Sequence, residues 1–218
     1  MGLFNRILLK RRVKRWRQDL ALSQHGTVFG ELYQSTDGYG LSRQAREGND
    51  AIEYVYGEIE FESFIALIAL CKPNSNTVFY DLGSGTGKAV LACAMVFPVK
   101  KSAGIELFEE LYLAAIEKKA LLSNLPAYKK AAEAIVFERG DFLTCPLQDA
   151  DIIFMNSTAF IGDYWLQVSN HLEKELKPGA IVLSASKALV SDGFVTKHST
   201  QVAMGWGVVT IYVQERIA

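Results

Sequence analysis

Asp81-Leu82-Gly83-Ser84-Gly85-Thr86-Gly87 is the stretch on which the reading of this chain turns. It follows a short apolar run, Thr77–Leu82, and precedes Lys88–Phe97, which reads as a helix stopped near Pro98. A strand, a glycine turn and a helix in that order let a ligand approach the backbone closely, and the helix start offers unpaired N–H groups. The spacing is GxGxG, unlike the GxGxxG of dinucleotide sites. Asp81 ends the strand, where a carboxylate suits a cationic amino group and sits poorly beside a pyrophosphate. Both details point to S-adenosylmethionine (SAM), with Asp81, Gly83, Ser84, Gly85, Gly87 and Lys88 at its site.

Strand and helix alternate onward from this loop. Ser102–Leu107 reads as a second strand, Phe108–Asn124 as a helix, Ala134–Glu138 as a third strand and Asp151–Asn156 as a fourth. Trp165, Val168, Leu172 and Leu176 mark a helix, and Ala180–Lys187 a fifth strand. Short apolar strands separated by helices imply a parallel sheet covered on both faces. Lys197–Met204 and Val208–Glu215 flank Gly205-Trp206-Gly207 with no helix between them, which reads as a hairpin. The expected fold is α/β and Rossmann-like: a mostly parallel seven-stranded sheet with a C-terminal antiparallel hairpin and helices on both faces.

In such sheets ligands bind at the carboxyl ends of the strands. Glu106 ends the second strand, where an acid can accept both ribose hydroxyls. Gly140-Asp141-Phe142 follows the third, placing Asp141 to accept from an adenine amino group and Phe142 to stack on the ring. The fourth strand runs Phe154-Met155-Asn156-Ser157-Thr158, the position facing the transferred methyl. Ser-Thr stands there in place of the Pro-Pro found in enzymes that methylate exocyclic base amines. Asn156 reads as either a loop cap or the group that orients the acceptor.

The amino-terminal quarter reads differently. Residues 1–20 hold seven basic groups against one acid, a net of +6, so the remaining chain carries −7 for the total of −1. Leu9, Val13, Trp16 and Leu20 fall at helical spacing. Such a helix suits an anionic partner, either a membrane leaflet or a nucleic acid. Residues 24–50 read as polar loop with a turn at Thr36–Gly40. Residues 1–50 are therefore expected to form a basic helix and a covering segment, and 51–218 the catalytic domain. Cys71, Cys93 and Cys145 lack ligand spacing to any His, so no metal site is expected and free thiols suit the cytoplasm, with a peripheral membrane location as an option. The 218 residues are 50% hydrophobic and 22% charged, as in a globular domain with one core.

These pieces together resemble the non-SET lysine methyltransferases of the disruptor-of-telomeric-silencing family. Val55-Tyr56-Gly57-Glu58 looks like that family's first cofactor loop, and Asp81–Gly87 like its glycine motif. Gly104-Ile105-Glu106 resembles its ribose acid, Glu138-Arg139-Gly140-Asp141-Phe142 its adenine segment, Ile153–Asn156 its catalytic loop and Trp206 its late tryptophan. The likeness spans roughly residues 53–215. It implies a class I SAM-dependent methyltransferase acting on a protein lysine. Tyr56, Glu58 and Asn156 then join the cofactor residues, and Asn156, Tyr56 and Phe154 carry the acceptor chemistry. Ser157 departs from the family's second Asn, and Ile59 from its Thr. Two alternatives stay open: a methyltransferase for a small-molecule or other nitrogen nucleophile, and a non-catalytic SAM-binding regulator.

Overall fold

The five apolar runs form parallel strands of one sheet: β1 (Val78–Leu82), β2 (Lys101–Glu106), β3 (Ile135–Arg139), β4 (Ile152–Met155) and β5 (Ile181–Ala185). The structure is a computed structural model that describes residues 3–46, 54 and 56–218, and of residues 3–9 only the backbone. The strands are short and apolar because both faces are covered: β1 is buried along its whole length. Successive residues serve opposite cores. Phe79 joins one with α4 (Phe61–Leu70) and α5 (Lys88–Val96). Tyr80 and Leu82 join the other with Trp165, Val168 and Leu172 of α8 (Gly162–Glu175). Helix α6 (Glu109–Ser123) and the short α7 (Lys129–Glu133), which has no counterpart in the sequence expectation, complete the crossovers around β3.

The hairpin is β6 (Phe194–Met204) and β7 (Gly207–Arg216), and β7 inserts antiparallel between β5 and β6. The resulting order is β3-β2-β1-β4-β5-β7-β6. Strand progression reverses between β1 and β4, and a crevice opens at the carboxyl ends there.

The amino-terminal region departs from the expected loop. α1 (Leu3–Asp19) ends before Ala21, whose φ of 47° turns the chain into α2 (Leu22–Tyr33), and α3 (Gly38–Ala45) follows. Packing makes α2 a helix despite its two glycines: the Phe29 ring meets Phe61 at 4.8 Å and Tyr33 at 4.9 Å. Asp37, read as a turn residue, caps α3 by accepting from Gly40 N–H at 2.8 Å. Leu22, Leu32 and Tyr33 share the core of α4 and α5. The boundary read at 50/51 lies outside the described residues. Among the described residues no helix is long and apolar enough to cross a membrane.

Candidate active site

The glycine loop sits at the crevice. Gly83 has φ +78° and open space where a side chain would project, so only glycine gives this turn and leaves the backbone accessible. Gly85 N–H donates to Glu106 Oε2 at 2.7 Å, which ties the loop to the end of β2. A Cβ on Gly85 would lie 2.5 Å from the Tyr56 ring, so Tyr56 rests directly on the loop.

Two cavities meet here, sharing Tyr56, Gly57, Gly83 and Asn156 in their walls. The larger, about 670 Å³ including its open mouth, is bounded by Glu106, Asp141, Phe142 and Phe160 among others. The smaller, about 340 Å³, takes in Asp81, Ser84, Lys88 and Phe154. Glu106 already accepts Gly85 N–H at one oxygen and Phe108 N–H, at 2.9 Å, at the other. Each carboxylate oxygen has capacity for a second donor, so a diol can still bind both. Asp141 Oδ1 accepts from Leu143 N–H at 2.9 Å and caps a 3-10 turn that begins with Phe142. The Phe142 ring lies 6.0 Å from that of Phe160.

Asp81 is buried, and burial first, with the Glu106 charge second, pushes its carboxyl well above the ordinary value. Burial raises Glu106 as well, tempered by the N–H groups of Phe108, Gly85 and Leu107. Neither carboxylate is ion-paired among the described residues.

The cover is the segment 56–60; Val55 lies outside the described residues. Tyr56 O–H donates to Glu58 Oε1 at 2.6 Å and lies 3.2 Å from Thr86 Oγ1. Lys88 Nζ donates to Glu58 Oε2 at 2.5 Å and stands 5.2 Å from the centre of the Tyr33 ring. Glu58 and Lys88 thus neutralise each other and hold the cover down on the start of α5. Burial, followed by the Glu58 charge, drives the Tyr56 phenol far up, so Tyr56 is a neutral donor rather than a base. The same segment pairs with the end of β6. Ile59 bridges Met204, Glu60 N–H donates to Ala203 O at 3.1 Å, and Gly205 N–H donates to Glu58 O at 2.8 Å.

That pairing brings the Trp206 ring against Gly57, where a Cβ would lie 2.1 Å from the indole. Asn156 Nδ2 donates to Gly57 O at 3.3 Å, and its Oδ1 accepts from Thr158 Oγ1 at 3.1 Å. Thr158 is in turn 2.9 Å from Ser186 Oγ, so the amide of Asn156 is oriented from both ends. The Gly57→Ala variant should push away both the indole and the Asn156 amide, whose Nδ2 would lie 2.8 Å from the new Cβ. We expect SAM affinity within a few-fold of wild type and at least a tenfold loss of kcat/KM for the acceptor. Calorimetry and initial rates on one preparation measure both, and an unchanged kcat/KM would remove the Trp206–Asn156 side of Gly57 from the acceptor wall.

The sequence-derived residues Tyr56, Glu58, Asp81, Gly83, Ser84, Gly85, Lys88, Glu106, Asp141, Phe142, Phe154 and Asn156 all border one cavity or the other. Gly87 does not; it packs α5 close to Phe137 of β3. Phe154 faces the smaller cavity from the core, its ring 5.5 Å from Phe64. Phe160 borders the larger cavity. Sequence reasoning missed Ser42, buried on α3 with a hydroxyl that has no partner among the described residues, and Thr86, which links Tyr33 to Tyr56. Ser42 falls inside the stretch that reads as loop, where no periodic signal marks it.

A cationic nucleoside fits these groups. Two buried carboxylates without an ion pair call for positive charge, the hydroxyls of Ser42 and Ser84 at the cavity walls have no partner among the described residues, and Gly83 leaves room for a ligand against its backbone. With this sheet order, the site defines a class I SAM-dependent methyltransferase. The chain belongs to the family described as "Histone methylation protein DOT1", whose sequence pattern matches residues 42–211.

A protein-lysine N-methyltransferase of Saccharolobus islandicus is 29% identical over 121 residues, 54% of this chain and 67% of that protein. An H3 lysine-79-specific histone-lysine N-methyltransferase of Caenorhabditis elegans is 31% identical over 155 residues, 66% of this chain but 16% of that protein. Among solved structures, an RNA methyltransferase from Salinibacter ruber in complex with S-adenosyl-L-homocysteine aligns with a TM-score of 0.57 at 20% identity, covering 71% of this chain and 90% of that one. TrmN from Thermus thermophilus aligns at 0.55 and 22% identity, covering 71% and 48%. These structural likenesses establish the fold.

Proposed function

We propose that this chain transfers a methyl group from SAM to the ε-amine of a lysine in a protein. The observation that carries the proposal is the junction of the two cavities at Gly57 and Asn156, with the Trp206 ring packed behind Gly57. SAM supplies a methyl on a sulfonium, a good leaving group, so the protein's task is orientation and a neutral nucleophile. Asp81 receives the ammonium end, Glu106 the ribose, and Asp141 with Phe142 the adenine.

A lysine amine is mostly charged at neutral pH. The apolar surface of Trp206 and Phe154 disfavours that charge and releases the proton to water. Asn156 Oδ1 keeps a lone pair beside the one taken by Thr158, and it orients the amine. None of these groups is a strong base, and an in-line displacement by a neutral amine needs none. Family membership and the lysine-directed relatives support the acceptor class. The partner of α1 is, in the same reading, an anionic surface distinct from the acceptor.

The test is transfer of tritiated methyl from SAM into a fractionated lysate. Counts in protein that survive nuclease and appear as methyl-lysine on hydrolysis are the expected result. Counts confined to small molecules or nucleic acid would overturn the acceptor assignment, and SAM binding with no transfer to any fraction would leave a regulator.

A further inference from the structure

Helix α3 is fixed against the crevice from two sides. It packs along α6. Its first turn meets the cover: a Cβ on Gly38 would lie 2.6 Å from the Tyr56 hydroxyl and 2.7 Å from Glu58 Oε1, and the Tyr39 ring meets that of Tyr56 edge-on at 5.3 Å. Near its end, Arg46 Nε donates to Ser42 O at 3.2 Å. These contacts hold Ser42, which is 1% exposed, in the wall of the larger cavity.

A hydroxyl within a helix commonly bonds back to the backbone one turn earlier. Thr27 does so to Ser23 O at 3.0 Å, Ser123 to Ala120 O at 2.7 Å and Ser169 to Trp165 O at 2.9 Å. The Ser42 hydroxyl has no partner among the described residues. A buried polar group left unpaired is both uncommon and destabilising, so a ligand that brings a partner gains by filling it.

The same wall offers acceptors more freely than donors. Glu106 and Asp141 both accept. Of the donors, Tyr56 O–H is taken by Glu58, Asn156 Nδ2 by Gly57 O, Gly83 N–H by Ile105 O and Gly140 N–H by Glu106 O. Adenine is the converse, with a single amino group that donates and several ring nitrogens that accept. The acids serve the ribose and the amino group, and the ring nitrogens call for a donor.

We propose that the Ser42 hydroxyl donates a hydrogen bond to a ring nitrogen of the SAM adenine. Helix α3 is then part of the cofactor site, and Ser42 helps decide which base the site takes. The inference rests on the assignment of the cavity to SAM and is independent of the acceptor's identity.

S-adenosylhomocysteine carries the same nucleoside and serves as the calorimetric probe. Ser42→Ala should bind it about five- to tenfold more weakly, while the ligand-free variant melts no lower than wild type, because the lost hydroxyl bonds nothing there. The 1-, 3- and 7-deaza forms of S-adenosylhomocysteine each replace one ring nitrogen by C–H. Wild type should lose about the same factor towards one of them, and Ser42→Ala should bind that form as well as it binds S-adenosylhomocysteine. Each comparison is made within one protein, so it decides even for a less stable variant. Ser42→Ala binding S-adenosylhomocysteine like wild type overturns the proposal, and so does an equal loss on S-adenosylhomocysteine and on all the deaza forms. Wild type that binds no S-adenosylhomocysteine would strike the cofactor assignment itself, and the proposal with it.

Discussion

Asp81→Asn should lose SAM affinity by roughly 10- to 100-fold while making the ligand-free protein more stable. The loss follows from removing a charged acceptor for the ligand's ammonium group, worth about 1.5–3 kcal/mol. The gain follows from the site itself: burial first, and the Glu106 charge second, disfavour the ionised form of Asp81 when no cation lies beside it. Asp81 and Glu106 both have folded-state values above their ordinary ones of 3.8 and 4.5. The stability linked to them is therefore full below pH 4 or so and is lost as pH rises through the raised values. SAM binds the ionised form, so its affinity climbs over the same interval and binding there releases protons. Asparagine carries no titrating proton, so the variant should show a flatter pH profile in both respects. Thermal melts and calorimetry between pH 4 and 8 in two buffers of different ionisation enthalpy measure all of this. Equal SAM affinity and an unchanged stability slope would remove Asp81 from the site.

Asn156→Ala should keep SAM affinity within a few-fold and lose about a hundredfold in kcat. Its amide is held by Gly57 O and Thr158 Oγ1 beside the acceptor's approach, so it acts on the geometry of attack rather than on cofactor binding. Thr158→Val should fall between wild type and Asn156→Ala, with Thr158→Ser restoring the rate. If Asn156→Ala turned over normally with a confirmed substrate, its role would reduce to holding the loop after β4.

Much of this molecule is legible in one dimension, for a physical reason. A strand buried on both faces has to be apolar throughout, so β1, β4 and β5 stand out as runs bounded by turn residues. The acids at the ends of β1 and β2 sit at a fixed offset from their strands, which is why Asp81 and Glu106 can be named from sequence. Helix α2 is invisible there because what makes it a helix is elsewhere, Phe61 on α4, while the cap that starts α3, Asp37, stands beside it but within a cluster that reads as a turn. Local composition, with Gly26, Gly30, Gly38 and Gly40, argues against helix. The cover is a similar case. That Glu58 and Lys88 would bind each other, and that Trp206 would close on Gly57, depends on chain segments 30 and nearly 150 residues apart, as the Glu58–Lys88 pair and the Gly57–Trp206 contact record. Motif spacing carries no information about such meetings.

The clasp between residues 58–60 and the tip of the β6–β7 hairpin also sets an order of assembly during synthesis. The ribosome delivers Asp81, Glu106 and Asp141 well before Ala203–Gly205, the backbone on which the cover is hung. β6 in turn has no place in the sheet until β7 emerges to fill the gap beside β5. A nascent chain halted near residue 190 would hold every acid of the cofactor pocket yet lack the wall formed by Trp206. Such a fragment also lacks the backbone that holds residues 58–60 in place, so the cover and the acceptor side of the site are completed together, with β6 and β7.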